Sequence, residues 1–152
     1  MSTYTATVRW SGDDPEAYAR GRYNRSHEWV FDGGTVVPAS AAPENVPPGT
    51  ANAAGVDPEE AFIAALSSCH MLFFLDYARR AGFVVASYVD DALGVLDKLV
   101  DGKIAVTKVT LRPKVEWAGG EPAADQLAEL HHRSHESCFI ANSVNSEVTV
   151  EH

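Results

Sequence analysis

Hydrophobic positions recur along this chain with two different spacings. Residues 4–10 alternate between polar and apolar side chains, which predicts a half-buried strand, and a second extended region is predicted over residues 18–31. Residues 33–56 are rich in proline and glycine, so we expect a long irregular connection there. A loop of this length inside a compact domain is usually functional or mobile.

A long helix is predicted to follow this connection and to run from Pro58 to about Ala81. Asp57 is a suitable amino-terminal cap, and proline suits the first helical position because its missing N–H would have no partner there. Gly82 is a suitable end signal, since glycine readily adopts the conformation that terminates helices.

Apolar residues lie on almost every face of this predicted helix. One stripe at helical spacing contains Phe62, Leu66, Cys69 and Phe73, and other apolar residues cover much of the remainder. We therefore expect a central helix that is buried on several sides. The apolar stretch 61–75 is interrupted by polar residues and is shorter than the roughly 20 residues that span a bilayer, so no membrane span is predicted.

The remaining chain predicts further strands and a second helix. Strand-like segments cover residues 84–88, 92–99 and 103–117, with Asp101 and Gly102 as a hairpin turn, and the segment SEVTVE alternates as a closing strand. The second helix is predicted over residues 122–138. This order of elements is typical of an α+β protein, and residues 1–152 are expected to form a single domain.

Composition and charge exclude several classes of function. Apolar residues make up 45% of the 152 residues and charged residues 22%, which is ordinary for a globular protein. The net charge of -9 argues against nucleic acid and anionic membranes as partners, because both select for basic patches. The first residues contain no apolar signal core, so we expect a protein of the reducing cytoplasm.

The chain has two cysteines, Cys69 and Cys138, and they are the main candidates for chemistry. Their wide separation does not match a disulfide scaffold, a zinc knuckle or a CxxC redox motif. Two interpretations remain open: a pair of small buried residues, or an attacking thiol and a resolving thiol. Apolar surroundings disfavour a thiolate, so a reactive Cys69 needs a cation from elsewhere, and Arg20, Arg22 and Arg25 are candidates.

Several segments resemble the OsmC/Ohr family of thiol peroxidases. The resemblance starts in GVDPEEAFIAALSSC and continues through ARRAGF, VDDALGVLDK, IAVTKVTLRPKVEW and ESCFIANSV, so it covers most of the chain from Asp57 onward. It implies an OsmC-like α+β fold in which a long central helix and a second helix are enclosed by antiparallel sheets. It also implies an intertwined homodimer with its active sites at the interface.

The resemblance assigns roles to individual residues. Cys69 matches the peroxidatic cysteine, Cys138 the resolving cysteine, and Glu59 the glutamate that holds an activating arginine. Arg25, in YNRSHEW, is the nearest match to the arginine that Ohr-type members carry near their first strands, and Arg22 is the alternative.

The sequence departs from the family pattern at two places. OsmC-type members carry the arginine shortly before the Pro-Glu motif, but residues 43–57 contain none, and Phe139 follows the second cysteine where many members have proline. Ten residues of helix separate Glu59 from Cys69 by about 15 Å along the axis. Either a long arginine bridges part of that gap, or the site combines two chains.

The implied function is thiol-dependent reduction of organic hydroperoxides by Cys69 and Cys138, with an external dithiol as reductant and no cofactor. Apolar residues near Cys69 in sequence favour bulky organic peroxides over hydrogen peroxide. The alternative function is a non-catalytic OsmC-like dimer that binds a small apolar ligand or a protein partner.

Histidines provide a rival site. His131 and His135 lie four residues apart on the predicted second helix, with His132 and Cys138 nearby, and such spacing can bind zinc. No HExxH motif or further ligand cluster accompanies them, so we expect a solvated helix face and no metal. His70 is expected to be a packed core residue rather than a base for Cys69, because adjacent helical residues point about 100° apart.

Overall fold

A computed structural model describes all residues from Met1 to His152. Contacts divide the chain into two compact units, Met1–Ala61 and Phe62–His152. The longest helix begins at the end of the first unit and continues into the second.

The amino-terminal unit contains one three-stranded antiparallel sheet in the order β1-β2-β3. Its elements in chain order are β1 (Ala6–Arg9), α1 (Pro15–Ala19), β2 (His27–Phe31), β3 (Val36–Ala39) and a 3-10 turn at Pro43–Asn45. Val8 of β1 is opposite Trp29 of β2, and Glu28 of β2 is opposite Pro38 of β3.

Two predictions for this unit need correction. Tyr18 lies in α1 rather than in an extended segment, because the Asp14 side chain caps that helix by accepting a hydrogen bond of 2.9 Å from the Ala17 N–H. The connection 33–56 is not wholly irregular, since it contains β3. Pro38 is accepted there because β3 is the last strand of the sheet, where a missing N–H costs little.

Strand β1 also differs from its prediction. All four of its residues are exposed, and Val8 keeps 66% of its accessible surface, so β1 is not half-buried within this chain. The apolar side chain of Val8 is therefore not covered by other residues of this chain.

The long helix α2 (Pro58–Arg80) has the bounds that its sequence predicts. Asp57 and Glu60 cap its start reciprocally: the Glu60 N–H donates to Asp57 Oδ1 at 2.8 Å, and the Asp57 N–H donates to Glu60 Oε2 at 3.2 Å. Gly82 ends the helix with φ = 87°, a conformation that side-chain-bearing residues rarely adopt.

The buried face of α2 is narrower than the sequence pattern indicates. Every fourth residue is buried, namely Leu66, His70, Phe74 and Ala78. Of the predicted stripe, Leu66 is buried, whereas Phe62, Cys69 and Phe73 are only half-buried. Leu72 on another face is 61% exposed. The helix is therefore covered along one stripe within this chain, not on several sides.

The carboxy-terminal unit contains two sheets and one further long helix. Its elements after α2 are β4 (Val85–Asp90), β5 (Leu93–Lys98), β6 (Ile104–Leu111), β7 (Pro113–Trp117), α3 (Ala124–Ser137), a 3-10 turn (Ala141–Ser143) and β8 (Glu147–Val150). Strands β4 and β7 pair antiparallel, and the other sheet has the order β5-β6-β8.

The expectation of antiparallel sheets fails at one pairing, because β8 lies parallel to β6, with Val148 opposite Val109. The chain returns to β8 through α3, and a connection that contains a helix permits parallel pairing. The predicted strand over 103–117 is two strands divided at Arg112, with β6 in one sheet and β7 in the other.

Two hydrophobic clusters form the core of this unit, and α2 contributes to both. The first contains Leu66, Val109 and Leu111, which joins the helix to the β5-β6-β8 sheet. The second contains Phe74, Ala78 and Leu130, with side chains from α3 and the β4-β7 sheet packed around them. Gly94 in β5 lets the helix approach closely, because a Cβ there would overlap the Ile63 side chain.

By length and composition, α2 also meets the criteria for a helix that could cross a membrane. The sequence analysis considered only the length of the apolar stretch 61–75, whereas the whole helix has 23 residues and extends beyond that stretch. A single such helix is weak evidence for a membrane span, since core helices meet the same criteria, and α2 supplies buried residues to both clusters.

Truncation of Phe74 is expected to be strongly destabilising. Phe74→Ala should lower the free energy of unfolding by about 3–5 kcal/mol, because it removes a fully buried ring and leaves a cavity. Urea denaturation checks this, with Phe139→Ala as the matched control, since Phe139 is mostly exposed and should change stability by about 1 kcal/mol or less. Equal losses in the two variants would contradict the assignment of the core.

Candidate active site

The carboxy-terminal unit brings the two cysteines together. Cys69 lies in the middle of α2 and is half-buried, whereas Cys138 caps the end of α3 and is 1% exposed. Both are free thiols, and the Cys69 side chain is close enough to perturb the ionisation of Cys138. Two residues that are far apart in the sequence therefore share one location.

The thiol of Cys138 is held in its neutral form. Burial is the main reason why the pKa of Cys138 is raised to about 11. The Ala141 N–H, 3.4 Å from Sγ, opposes this shift, and the neighbouring Cys69 side chain adds to it. Cys138 is consequently a poor nucleophile near neutral pH.

Aromatic side chains border the cysteine pair. Phe73, one turn after Cys69, contacts Phe139, the residue after Cys138, with ring centroids 5.1 Å apart in an edge-to-face arrangement. Phe73 is half-buried and Phe139 is largely exposed. The surroundings of the thiols are therefore apolar on this side.

The amino-terminal unit holds the other two predicted site residues, Arg25 and Glu59. The Arg25 guanidinium donates to the carbonyl oxygens of Tyr23 at 2.9 Å and Gly21 at 3.3 Å, and it lies 4.1 Å above the centroid of the Tyr23 ring. Glu59 is half-buried in the first turn of α2. Arg25 and Glu59 form no ion pair with each other, and the alternative residue, Arg22, is exposed.

Two histidines form a buried pair that the sequence did not reveal. His70 of α2 and His131 of α3 share a hydrogen bond of 3.1 Å between Nε2 and Nδ1, and their rings stack almost in parallel. His70 is packed in the core, as predicted. The expectation of a solvated face was wrong for His131, which is buried against Phe74 with ring centroids 4.4 Å apart.

The remaining histidines of α3 do not extend this pair into a metal centre. His132 is exposed and His135 is half-buried. No group of three or more histidine, cysteine or carboxylate side chains has the arrangement of a metal site. Sequence spacing alone cannot find the pair, because its members lie on different helices.

Acid is expected to destabilise the protein through this histidine pair. Burial, and to a lesser degree the nearby His135 and His152, lowers the pKa of His70 from 6.5 to about 4, although Asp90 opposes the shift. Burial followed by its neighbouring histidines lowers the pKa of His131 to about 3. Unfolded histidines bind protons first, so this stability is complete above pH 6.5 and is lost as the pH falls toward 4.

Urea midpoints across this pH range test the expectation. The midpoint should decline below pH 6.5 in the wild type and in His132→Gln, which alters an exposed histidine on the same helix. The decline should be smaller in the double variant His70→Leu/His131→Leu, because both partners are then apolar. A wild-type midpoint that stays constant down to pH 4 would contradict a neutral buried pair.

Comparison with known proteins identifies the family. The model of the OsmC-like protein family matches residues 49–152. A solved structure of an OsmC-like protein of unknown function from Vibrio cholerae is 51% identical, covers 99% of each chain and superposes with a TM-score of 0.96.

More distant structures share the fold. An organic hydroperoxide resistance protein from Elizabethkingia anophelis is 18% identical, with coverage of 99% of this chain and 96% of that one and a TM-score of 0.73. That of Bacillus subtilis is 19% identical, with coverage of 99% and 97% and a TM-score of 0.71. No curated protein sequence matches this chain significantly. With its matching family model and its 51% identical relative, the chain belongs to the OsmC-like protein family.

Proposed function

We propose that this protein is a thiol peroxidase that reduces organic hydroperoxides to alcohols. The observation that carries the proposal is the pair of adjacent free thiols, of which Cys69 is more accessible and Cys138 is buried and neutral. The family supports a related redox role, and its members from Elizabethkingia anophelis and Bacillus subtilis are named for resistance to organic hydroperoxides.

The proposed reaction uses the two thiols in sequence. The Cys69 thiolate attacks the outer peroxide oxygen, the O–O bond breaks, and the alkoxide takes up a proton and leaves as the alcohol. Cys69 becomes a sulfenic acid. The Cys138 sulfur then attacks the Cys69 sulfur, forms a disulfide and releases water, so the two electrons that reduce the peroxide come from the two cysteines.

An external dithiol completes the cycle by thiol–disulfide exchange and becomes oxidised itself. We expect no metal, haem or flavin to take part, because the sulfur atoms carry both electrons. Apolar neighbours such as Phe73 and Phe139 favour organic peroxides with bulky apolar groups over hydrogen peroxide.

Arg25 is the proposed cation that stabilises the Cys69 thiolate, and Glu59 is proposed to orient it. Their assignment rests on the family resemblance, with Arg22 as the alternative arginine. Arginine suits this role because it keeps its charge when it is removed from water. Because Glu59 and Cys69 are ten helical residues apart, the arginine has to bridge part of that distance or come from a second chain.

The protein is expected to form a homodimer. Leu72 on α2, Val8 on β1 and Ile104 on β6 are exposed in the single chain, and burying such apolar surface would stabilise an assembly. Light scattering should give the mass of two chains at micromolar concentration. A stable folded monomer under these conditions would remove the argument for a site composed from two chains.

We further propose that residues 1–152 act as one domain in the reducing cytoplasm, without nucleic acid or membrane partners. The net charge of -9 supports the exclusion of polyanions, and two unpaired cysteines fit a reducing compartment.

A second candidate function is binding of a small apolar ligand or a protein partner without turnover. The contacts of Arg25 favour it, because the guanidinium is engaged by two backbone carbonyls and forms no ion pair with Glu59. An apolar groove of about 430 Å³ in the carboxy-terminal unit, lined by Phe62, Leu99, Val106 and Val144 among others, adds support.

Consumption of cumene hydroperoxide in the presence of a dithiol separates the two functions. Turnover that needs both the protein and the dithiol supports the peroxidase. If both thiols are reduced at the start and no more peroxide is consumed than in the protein-free control, the result contradicts the peroxidase function and favours binding without turnover.

A further inference from the structure

The end of α3 and the two residues that follow it, residues 137–139, lie against one face of α2. That face carries Cys69, Phe73 and Tyr77 at intervals of four residues, so their side chains follow one another along the helix. The thiol of the segment lies beside Cys69, and its phenylalanine ring packs against Phe73 with centroids 5.1 Å apart. Each of the three residues in the segment therefore has a partner on α2, and the partner of Ser137 is Tyr77.

Tyr77 joins the two helices by a hydrogen bond. The Tyr77 and Ser137 hydroxyls are 2.7 Å apart, either of them can donate, and both residues are half-buried. Two neighbours hold the Tyr77 ring: Phe73 stacks on it with centroids 6.3 Å apart, and the Arg133 guanidinium lies 4.3 Å from its centroid. Long side chains on a helix point back toward its amino terminus, so the Tyr77 hydroxyl is directed toward the level of the cysteines.

The other hydrogen bonds of residues 137–139 stay within α3 and the turn after it, apart from the contact between the two thiols. The Cys138 N–H, for example, donates to the His135 carbonyl at 3.2 Å. The His70–His131 pair also joins α2 to α3, but it lies about two turns before Cys138. Helix ends fray readily, because their last carbonyls have no helical partner. The Tyr77 hydroxyl is therefore the polar contact that fixes the end of α3 on α2.

The placement of Cys138 decides the fate of an oxidised Cys69. Its sulfur has to reach the Cys69 sulfenic acid before a second peroxide does. If the peroxide arrives first, the sulfenic sulfur attacks its outer oxygen, the O–O bond breaks and a second alcohol leaves. Cys69 then becomes a sulfinic acid, which thiols do not reduce. Disulfide geometry is strict, and a displacement of about 1 Å can slow a reaction by roughly a hundredfold.

We propose that Tyr77 is a positioning residue that sets the rate of disulfide formation and thereby protects Cys69 from over-oxidation. It acts through Ser137, which it holds against α2 together with the adjacent Cys138. These contacts lie within one chain, so the argument does not depend on which surface a second chain covers. The inference rests on the proposed function for the reaction with peroxide, but the placement of the two thiols can be measured without peroxide.

Equilibration of the full chain with mixtures of reduced and oxidised glutathione measures the effective concentration of one thiol at the other. Tyr77→Phe keeps the ring and removes the hydroxyl. It should lower the effective concentration by about fivefold, because the loss of one hydrogen bond frees the end of α3. Ser137→Ala should have the same effect. The double variant Tyr77→Phe/Ser137→Ala should show no larger effect, because both changes remove the same bond.

Two further variants serve as controls. Tyr88→Phe is the matched control for Tyr77→Phe, because it removes a buried hydroxyl that has no hydrogen-bond partner. It should leave the glutathione equilibrium unchanged. Ser137→Thr retains a hydroxyl and should keep the wild-type value.

Excess cumene hydroperoxide tests the protection of Cys69. We expect Tyr77→Phe to form more Cys69 sulfinic acid than the wild type, as measured by mass spectrometry, while the first alcohol is released at the wild-type rate. A general loss of folding would slow the first step as well, so the contrast between the two steps is specific to positioning.

The proposal is overturned if Tyr77→Phe has the wild-type glutathione equilibrium, if Tyr88→Phe weakens the disulfide equally, or if the wild type forms no disulfide between Cys69 and Cys138. Equal over-oxidation of Tyr77→Phe and the wild type would also overturn it. A wild type that forms the disulfide in glutathione but consumes no peroxide would contradict the peroxidase function instead. The glutathione comparison would then still decide whether Tyr77 positions Cys138.

Discussion

Cys69→Ser is expected to abolish consumption of cumene hydroperoxide, whereas Cys138→Ser should still carry out one oxidation. Serine at position 69 removes the sulfur that attacks the peroxide. In Cys138→Ser the first step remains, but no second thiol is available, so a sulfenic acid accumulates on Cys69 and can be trapped with a dimedone reagent.

The difference between the two variants follows from the burial of the thiols. Cys138 is 1% exposed and its pKa is raised to about 11, mainly by burial, so at neutral pH almost none of it is thiolate. Mass spectrometry of each variant after one addition of peroxide measures the modification. Loss of the first oxidation in both variants would contradict the proposed roles. Trapping of a sulfenic acid on Cys138 in Cys69→Ser would reverse them.

Arg25→Met is expected to slow alkylation of Cys69 near neutral pH by about tenfold or more, because a thiolate without a neighbouring cation is less populated. Methionine keeps much of the side-chain length and removes the charge. Iodoacetamide rates across a pH series measure the effect, and labelled-peptide analysis separates Cys69 from Cys138. The far-ultraviolet circular dichroism spectrum should be unchanged.

Arg22→Met is the matched control for this experiment. Arg22 is exposed, so its removal should leave the alkylation profile close to that of the wild type. If alkylation of Cys69 is slow in Arg22→Met and normal in Arg25→Met, Arg22 is the activating arginine. An unchanged profile in both variants would mean that neither arginine activates the thiol, and the non-catalytic function would gain support.

Local signals made the long helix predictable. Asp57 and Gly82 act through backbone geometry within a few residues of themselves, and both ends of α2 lie where these residues indicate. The hairpin at Asp101 and Gly102 is local in the same way: the Gly102 N–H donates to the Leu99 carbonyl at 2.9 Å.

The buried face of the helix was less predictable, because burial depends on distant parts of the chain. The sequence favoured a stripe through Cys69, but the buried stripe passes through His70. The buried His70 ring shares a hydrogen bond with His131 from another helix, which offsets part of the cost of its burial. Neither residue reveals the other in a single sequence.

Sheet pairing was uncertain for the same reason. The alternation in β8 indicates a strand but not its neighbour, and the parallel pairing with β6 is set by the path of the chain through α3. The proximity of Cys69 and Cys138 is likewise a property of how α2 and α3 pack. The spacing of the two cysteines did not predict it, and the expectation came from the resemblance to the OsmC/Ohr family.

The most direct test of the two-cysteine mechanism is the product of a single turnover without reductant. Fully reduced protein is treated with an equimolar amount of cumene hydroperoxide, the alcohol is quantified, and disulfide-linked peptides are mapped by mass spectrometry. We expect one alcohol per chain and a disulfide between Cys69 and Cys138. Alcohol formation without that disulfide, or intact peroxide with both thiols still reduced, would contradict the mechanism.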